Sequence, residues 1–246
     1  ARLHTDPHYR VPLYQAWRLL ALTLAQAGDA LLAVRQARAL SLKAFPWLGM
    51  SVLASTTLAE GLRRLIELEP LIWDAGHIEL QLPADPAGEA RLVWQALLPT
   101  PPAVIELALA GWVLLGPALW QIGEGDYHLG FRHSARAPLT DCSAAFGCPV
   151  HFDCADNALH FPAAWLTREL RYADPGAGAL ILREAQRQLA LAPLELNLEN
   201  HLRAHCFRAL PGELPDAAAL ATALGIPHRH LRQLMTQHGI NLRDLQ

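Results

Sequence analysis

The stretch ALATALGIPHRHLRQLM, Ala219 to Met235, reads as two short helices joined by a turn. Asp216, just after Pro215, is an N-cap acceptor for a first helix from Ala217 to Leu224. Gly225 supplies the left-handed backbone that ends a helix at little cost. Pro227 follows two residues later, where its fixed φ suits a new helix start and its missing N–H costs nothing. A second helix then runs from His228 to Gln237 and stops at Gly239. Leu220, Leu224, Ile226, Leu231 and Leu234 fall at buried positions, and Ala221 stands where only a small side chain fits between crossing helices.

On the second helix this leaves His228, Arg229, His230, Arg232 and Gln233 facing outward. They are hydrogen-bonding groups of the kind that meet phosphates and base edges when a helix lies in the major groove. The plainer alternative is a helical hairpin with a polar outer face. The small residue, the glycine and the apolar positions all fall in register, which favours DNA reading.

The chain has 246 residues, enough for one large domain or two ordinary ones, and its 52% hydrophobic content supplies a real core. A formal net charge of −3 argues against coating nucleic acid along the whole length, yet leaves room for a small reading head. The start ARLHTDPHYRVP is polar and shows no signal-peptide pattern, so a cytoplasmic protein is expected. AVIELALAGWVLLGPALW, interrupted by Glu106 and Pro117, reads as a buried core helix and no membrane span. Cys142, Cys148, Cys154 and Cys206 are expected to be reduced thiols.

Working back from the terminal pair, Val11–Ala27 and Ala30–Leu42 read as helices separated at Gly28-Asp29. KAFPWLG reads as a turn around Pro46, and Thr57 with Glu60 forms a reciprocal capping arrangement ahead of a longer helix. At Gly76 the apolar period changes to two: HIELQLP and EARLVWQALLP alternate around ADPAG, a β-hairpin. The helix Pro102–Gln121 follows, then a strand DYHLGFRH with Tyr127, Leu129 and Phe131 on one face. After a short helix Pro138–Phe146, CPVHFD and NALHF read as a second hairpin around Cys154-Ala155-Asp156. A helix Ala177–Leu191 ends at Pro193, the expected domain boundary, and Leu196–Leu210 opens the terminal module.

The fold class is therefore α+β: an N-terminal helical region, a small antiparallel sheet with crossing helices, then an all-α helix-turn-helix module. The expected domains are residues 1–192 and 193–246.

DPHYRVPL, LGMSVLASTTLAEGLRRL from Leu48, FRHSARAPL from Phe131 and FGCPVHFDCADNALHFPAAWL from Phe146 carry a resemblance. With LRALPGELPDAAALATALGIPHRHLRQLMTQHGINLRDL they cover nearly the whole chain. The sequence resembles bacterial AraC-family transcriptional regulators, in the branch with an arabinose-binding-type N-terminal domain. The resemblance implies a regulator whose first domain, residues 1–192, senses a small-molecule effector and forms a homodimer. Residues 193–246 then correspond to the domain that reads promoter DNA, and RNA polymerase is a candidate partner. The residue blocks do not point to arabinose itself. Two departures stand out: Pro227 replaces the usual Ser cap, and Gln233 stands where a second arginine is common. The family's DNA-binding domain holds two helix-turn-helix units, and the sequence ends at Gln246 as the linking helix would begin. A single unit is expected to bind promoter DNA weakly.

Other chemistry is less well supported. His151, Asp153, Cys154 and His160, with Cys142 and Cys148 upstream, lack a Cys-x-x-Cys or His-x-x-x-His pair, so no metal is expected and a solvated sheet face is the better reading. There is no Gly-x-Ser-x-Gly elbow, phosphate loop or dinucleotide fingerprint, and no catalytic residue or cofactor is assigned. Cys142 with His133 or His151 remains a formal nucleophile pair that sequence alone cannot bring together. Trp47, Trp73, Trp94 and Trp112 read as core, and Arg132 with His133 as a surface salt-bridge region. The alternative function is a stand-alone small-molecule-binding or protein-interaction module with the terminal helices as a structural cap.

Overall fold

Glycine, proline and hydroxyl residues punctuate the helical start of the chain. The computed structural model describes residues 13–37, 46–72, 76–96, 100–120, 126–171, 173–191, 214–237 and 240–242, with 198, 202, 205, 206 and 209. The chain divides into two compact units, Trp17–Leu189 and Ala190–Gln246 with Ala1–Ala16. Helix α1 (Leu13–Ala27) ends ahead of Gly28, and the Asp29 carboxylate accepts the Leu31 N–H at 3.0 Å to open α2 (Leu32–Ala37). The remainder of the expected second helix, like Trp73, Pro193 and Gly239, lies outside the described residues.

Where a turn is expected around Pro46, the chain instead forms helix α3 (Pro46–Leu53). Proline at the first helical position loses no hydrogen bond there, so it starts the helix that a reading of it as a breaker would exclude. Helix α4 (Leu58–Leu68) is capped by Thr57, whose Oγ1 accepts the Glu60 N–H at 3.3 Å. The return bond runs from the Thr56 N–H to Glu60 Oε2 at 2.7 Å, one residue earlier than in the usual capping box. Partial burial alone would raise the Glu60 pKa, but the Thr56 hydrogen bond and the Arg64 charge bring it below its ordinary value.

The sheet begins with the expected hairpin, β1 (Gly76–Gln81) antiparallel to β2 (Glu89–Ala96), with Ile78 opposite Trp94 and Leu80 opposite Leu92. The second expected hairpin does not form. Strands β3 (His128–Gly130), β4 (Val150–His151) and β5 (Ala158–Pro162) give the order β1-β2-β5-β3-β4. Thus β5 lies between β2 and β3, antiparallel to both, while β4 runs parallel to β3 at the edge. The sheet is mixed, where an antiparallel one was expected. Parallel neighbours need a crossover, and helix α6 (Leu139–Phe146) supplies it between β3 and β4. After His151 the chain turns through Asp153, at φ 57°, and the Cys154 N–H bonds back to Phe131 O at 2.8 Å. That bond fastens the loop to the end of β3.

Alternation sorts the strand side chains in part, since Val93 and Ala158, on the opposite parity, are buried as well. Ala90, Leu92 and Trp94 of β2, Leu159 and Phe161 of β5, and Leu129 of β3 are buried, together with Tyr127 and Phe131 as expected. Helix α5 (Pro102–Trp120) contributes Ala103, Val104, Ile105, Leu109, Ala110 and Val113 to the buried set. Among the described residues no helix is long and apolar enough to cross a membrane. Helix α7 (Pro175–Leu191) buries Ala185 in a cluster with Leu48, Val52 and Leu68, which ties it to α3 and α4.

In the other unit, Leu198, Leu202, His205, Cys206 and Ala209 are helical, followed by α8 (Ala217–Ala223) and α9 (His228–Gln237). Leu198, Leu202, Cys206, Leu220, Ala221, Leu231, Leu234 and Met235 form its buried core.

Among the described residues Gly76 occupies a tight glycine site. A Cβ there would stand 2.5 Å from the Gln95 carbonyl oxygen and 2.8 Å from the Trp94 ring, whereas a Cβ at Gly111 in α5 would meet nothing within 4 Å. Gly76→Ala is expected to cost about 2–3 kcal/mol by overpacking against backbone, while Gly111→Ala gains up to about 1 kcal/mol from helix propensity. Urea unfolding of both variants checks the contrast; equal midpoints would contradict it.

Candidate functional site

The terminal helix pair is built from its caps inward. Asp216 Oδ1 accepts the Ala219 N–H at 2.8 Å, which fixes the start of α8. At its end, Gly225 has φ 65° and the Ile226 N–H reaches back to Ala221 O at 3.0 Å, so the reversal satisfies a carbonyl that would otherwise be left over. Pro227 then takes the N-cap place of α9, its carbonyl accepting the Leu231 N–H at 3.0 Å. Leu220 and Leu231 are fully buried, and Ala221 is 2% exposed. Each buried leucine contributes about 1.5–3 kcal/mol of burial free energy, which holds the two helices in one arrangement.

With the apolar side of α9 committed to that core, His228, Arg229, His230, Arg232 and Gln233 are all exposed. None of the ion pairs formed among the described residues engages Arg229 or Arg232. Two guanidinium groups one helical turn apart thus stand in solvent on a rigid support. Such groups donate bidentate hydrogen bonds to guanine edges or to phosphates.

The Trp17–Leu189 unit contains a buried ion pair. Glu106 on α5 is 1% exposed, and Arg136, in the segment between β3 and α6, donates to both of its carboxylate oxygens, one of them from Nε at 3.1 Å. Arg136 also donates to Ala30 O at 2.9 Å, so one side chain joins three segments. His133 lies beside them, with Nε2 3.7 Å from Glu106 Oε1 and its ring against Phe131 and Phe152. The expectation of a surface salt bridge at Arg132 and His133 is corrected here. Arg132 is exposed and contributes its backbone N–H to Asn157, while the buried pair belongs to Arg136. Its signal in sequence was the lone carboxylate in the run AVIELALAGW: a charge on the face of a buried helix requires a partner.

The outer face of the sheet is a polar lattice. Arg91 bonds Gln81 at 2.5 Å and Asp156 at 3.3 Å, and Glu79 accepts from Gln95 at 2.8 Å. Farther along, Glu89 faces His128 and His160 across β2, β5 and β3. Of the residues weighed for metal binding, His151 and Asp153 are exposed and His160 turns toward Glu89.

Neither Cys142 nor Cys148 is activated. Burial, followed by the Glu106 charge, pushes the Cys142 pKa up, and Cys142 donates to Ala137 O at 3.7 Å. Burial pushes Cys148 up to about 12. Both effects oppose thiolate formation, the state a nucleophile needs. The tryptophan expectation holds for Trp94, 1% exposed, and fails at Trp47, which is 40% exposed on α3.

Residues 1–170 match a family described as the arabinose-binding domain of AraC transcription regulators, N-terminal. No curated protein matches the chain. Among solved structures, the crystal structure of the transcriptional regulator CdpR from Pseudomonas aeruginosa is similar at 16% identity and a TM-score of 0.53. The likeness covers 96% of this chain and 83% of that one, and at such identity it is a likeness of fold.

Arg136→Ala would leave the Glu106 carboxylate buried without its cation. We expect a loss of about 3 kcal/mol, the low end of the range for a broken buried pair because the guanidinium is partly hydrated. Restoration of most of that loss in Arg136→Ala/Glu106→Leu, read by thermal unfolding, checks the cause; a double variant no better than the single would contradict it.

Proposed function

The chain belongs to the AraC transcription regulators that carry an N-terminal arabinose-binding domain, and from that premise we propose that it is a ligand-responsive DNA-binding switch. Its N-terminal domain, residues 1–192, binds a small-molecule effector in the cytoplasm. The C-terminal module, residues 193–246, is a helix-turn-helix that presents α9 to the major groove of promoter DNA. His228, Arg229, His230, Arg232 and Gln233 make the contacts. Effector binding acts through differential affinity, favouring one arrangement of the two domains over another.

The observation that carries this reading is the division of α9. Leu231, Leu234 and Met235 are locked in the core while Arg229 and Arg232 are exposed and free of ion pairs. A helix held on one side and cationic on the other suits a duplex: phosphate contacts position it and base-edge contacts specify. Asp216 and the Gly225 turn support the same reading, because they fix where the cationic edge points.

A homodimer would pair two such helices on half-sites about 34–36 Å apart, or a multiple of that spacing. The surface proposed for dimerisation is α1, where Leu19 and Leu22 are 67% and 54% exposed one turn apart. Large apolar side chains adjacent on a helix and left in water are a mark of an association surface.

Two measurements test these assignments. Duplexes selected from a random library by the wild-type protein should lose affinity for Arg229→Ala/Arg232→Ala by about 1–3 kcal/mol for each base contact removed. Unchanged affinity in a variant with an unchanged melting temperature would refute the DNA-reading role and favour the terminal helices as a structural cap. Leu19→Glu/Leu22→Glu should convert a dimer to a monomer in light scattering. A wild-type monomer, or a dimer that survives the substitution, would remove α1 from that role.

A further inference from the structure

We infer that Glu89, His128 and His160 form a binding site for one divalent transition-metal ion of the zinc class, on the outer face of the sheet. The site depends on strand pairing that no sequence spacing reveals. His128 of β3 and His160 of β5 are direct register partners, and β5 pairs on its other side with β2, where Glu89 stands opposite Pro162. The pleat sends Leu92, Leu159 and Leu129 inward, and so sends the intervening positions, Glu89, His160 and His128, outward together.

The distances suit one ion. His160 Nδ1 lies 3.0 Å from one Glu89 oxygen and His128 Nδ1 lies 3.5 Å from the other. One ligand atom from each of the three residues falls within 4.8 Å of the others, and among the described residues this is the group of histidine, cysteine and carboxylate ligands that meets such a limit. Zinc bonds to nitrogen and oxygen of about 2.0–2.2 Å place neighbouring ligand atoms of a tetrahedron about 3.3–3.6 Å apart. The two nitrogen–oxygen separations found lie close to that edge. An imidazole binds a metal through the lone pair in its ring plane, so the two rings must turn out of their stack about χ2 for both lone pairs to meet the ion.

The chemistry of the donors agrees. Two imidazoles and one carboxylate are ligands of zinc, whose remaining position is open to water. The His128 and His160 rings stack at 4.3 Å with 14° between their planes, and His151 meets His128 edge-on at 5.1 Å. Burial, and then the charge of His160, lower the His128 pKa against the pull of Glu89. The side chains are 18% exposed at His160, 31% at His128 and 48% at Glu89, so the pair of rings is sheltered and the carboxylate faces the entry path. A bound ion would bridge β2, β5 and β3 on the face opposite their apolar core. This departs from the expectation of no metal, and it stands independently of whether α9 reads DNA.

The test uses the full chain, stripped with a chelator and titrated with zinc sulfate at neutral pH by calorimetry and by thermal unfolding. One equivalent should bind and raise the melting temperature, and cobalt(II) in its place should give the intense visible absorption of tetrahedral coordination. Loss of an outer-shell partner in known metal sites costs about 10–100-fold in affinity. Loss of a direct ligand in His128→Asn, His160→Asn or Glu89→Gln should therefore cost at least about 100-fold. Cys154→Ser and His230→Asn should bind as the wild type does. Glu89→Gln, at a half-exposed position, guards against a variant that merely fails to fold. No stoichiometric uptake would overturn the proposal, leaving a hydrogen-bonded His–Glu–His group. Uptake equal in the wild type and in the three ligand variants would overturn it as well, by placing the ion elsewhere.

Discussion

Pairing of β5 with two partners is the constraint from which most of the larger unit follows. Once β5 lies between β2 and β3, with Leu92 opposite Leu159 and Leu159 opposite Leu129, three leucines form a continuous inward row. A slip of one residue in either ladder would send these side chains into water and the row Arg91, His160 and His128 into the core. The hydrophobic penalty alone would be several kcal/mol, at about 1.5–3 kcal/mol for each leucine. Burying the polar row would add more. The register that protects the core is therefore the same one that assembles Glu89, His128 and His160 outside.

The second organising feature is the charge buried on α5. Glu106 is tolerated among Val104, Ile105 and Leu109 because Arg136 reaches it from the segment after β3 and also ties down Ala30. A pair of this kind adds little net stability compared with an apolar replacement, but it strongly disfavours arrangements in which the partners separate. It fixes the loop bearing His133 against α5, next to the aromatic group of Phe131, Phe146 and Phe152. These two polar centres differ in character: Glu106 is buried against a partly exposed Arg136, while Glu89 stands half-exposed beside His128 and His160 at the sheet surface.

The terminal module follows a simpler rule. Its core is made by leucines, Ala221, Cys206 and Met235, and the residues from His228 to His230, with Arg232 and Gln233, are left exposed. Within α9 the spacing of the apolar positions already leaves Arg229 and Arg232 on the other side. This is why the residues proposed to touch DNA were identifiable from the sequence, whereas those proposed to hold a metal were not.

Local signals in the sequence determined the caps at Thr57 and Asp216, the left-handed turn at Gly225, the hairpin around ADPAG, the apolar course of α5 and the outward set on α9. Each rests on interactions within a few residues along the chain, where backbone geometry and periodicity leave few alternatives. Pro46 misled because the same residue both ends and begins helices, and its neighbours did not separate the two. Only the tertiary structure decided that β4 leaves β5 and runs parallel to β3, that Arg136 and not Arg132 neutralises Glu106, and that Glu89 meets His128 and His160. Those outcomes depend on which strands become neighbours. Alternation tells which side of a strand is apolar but carries no label for its partner, and so contacts across the sheet arise from the packing of the whole unit.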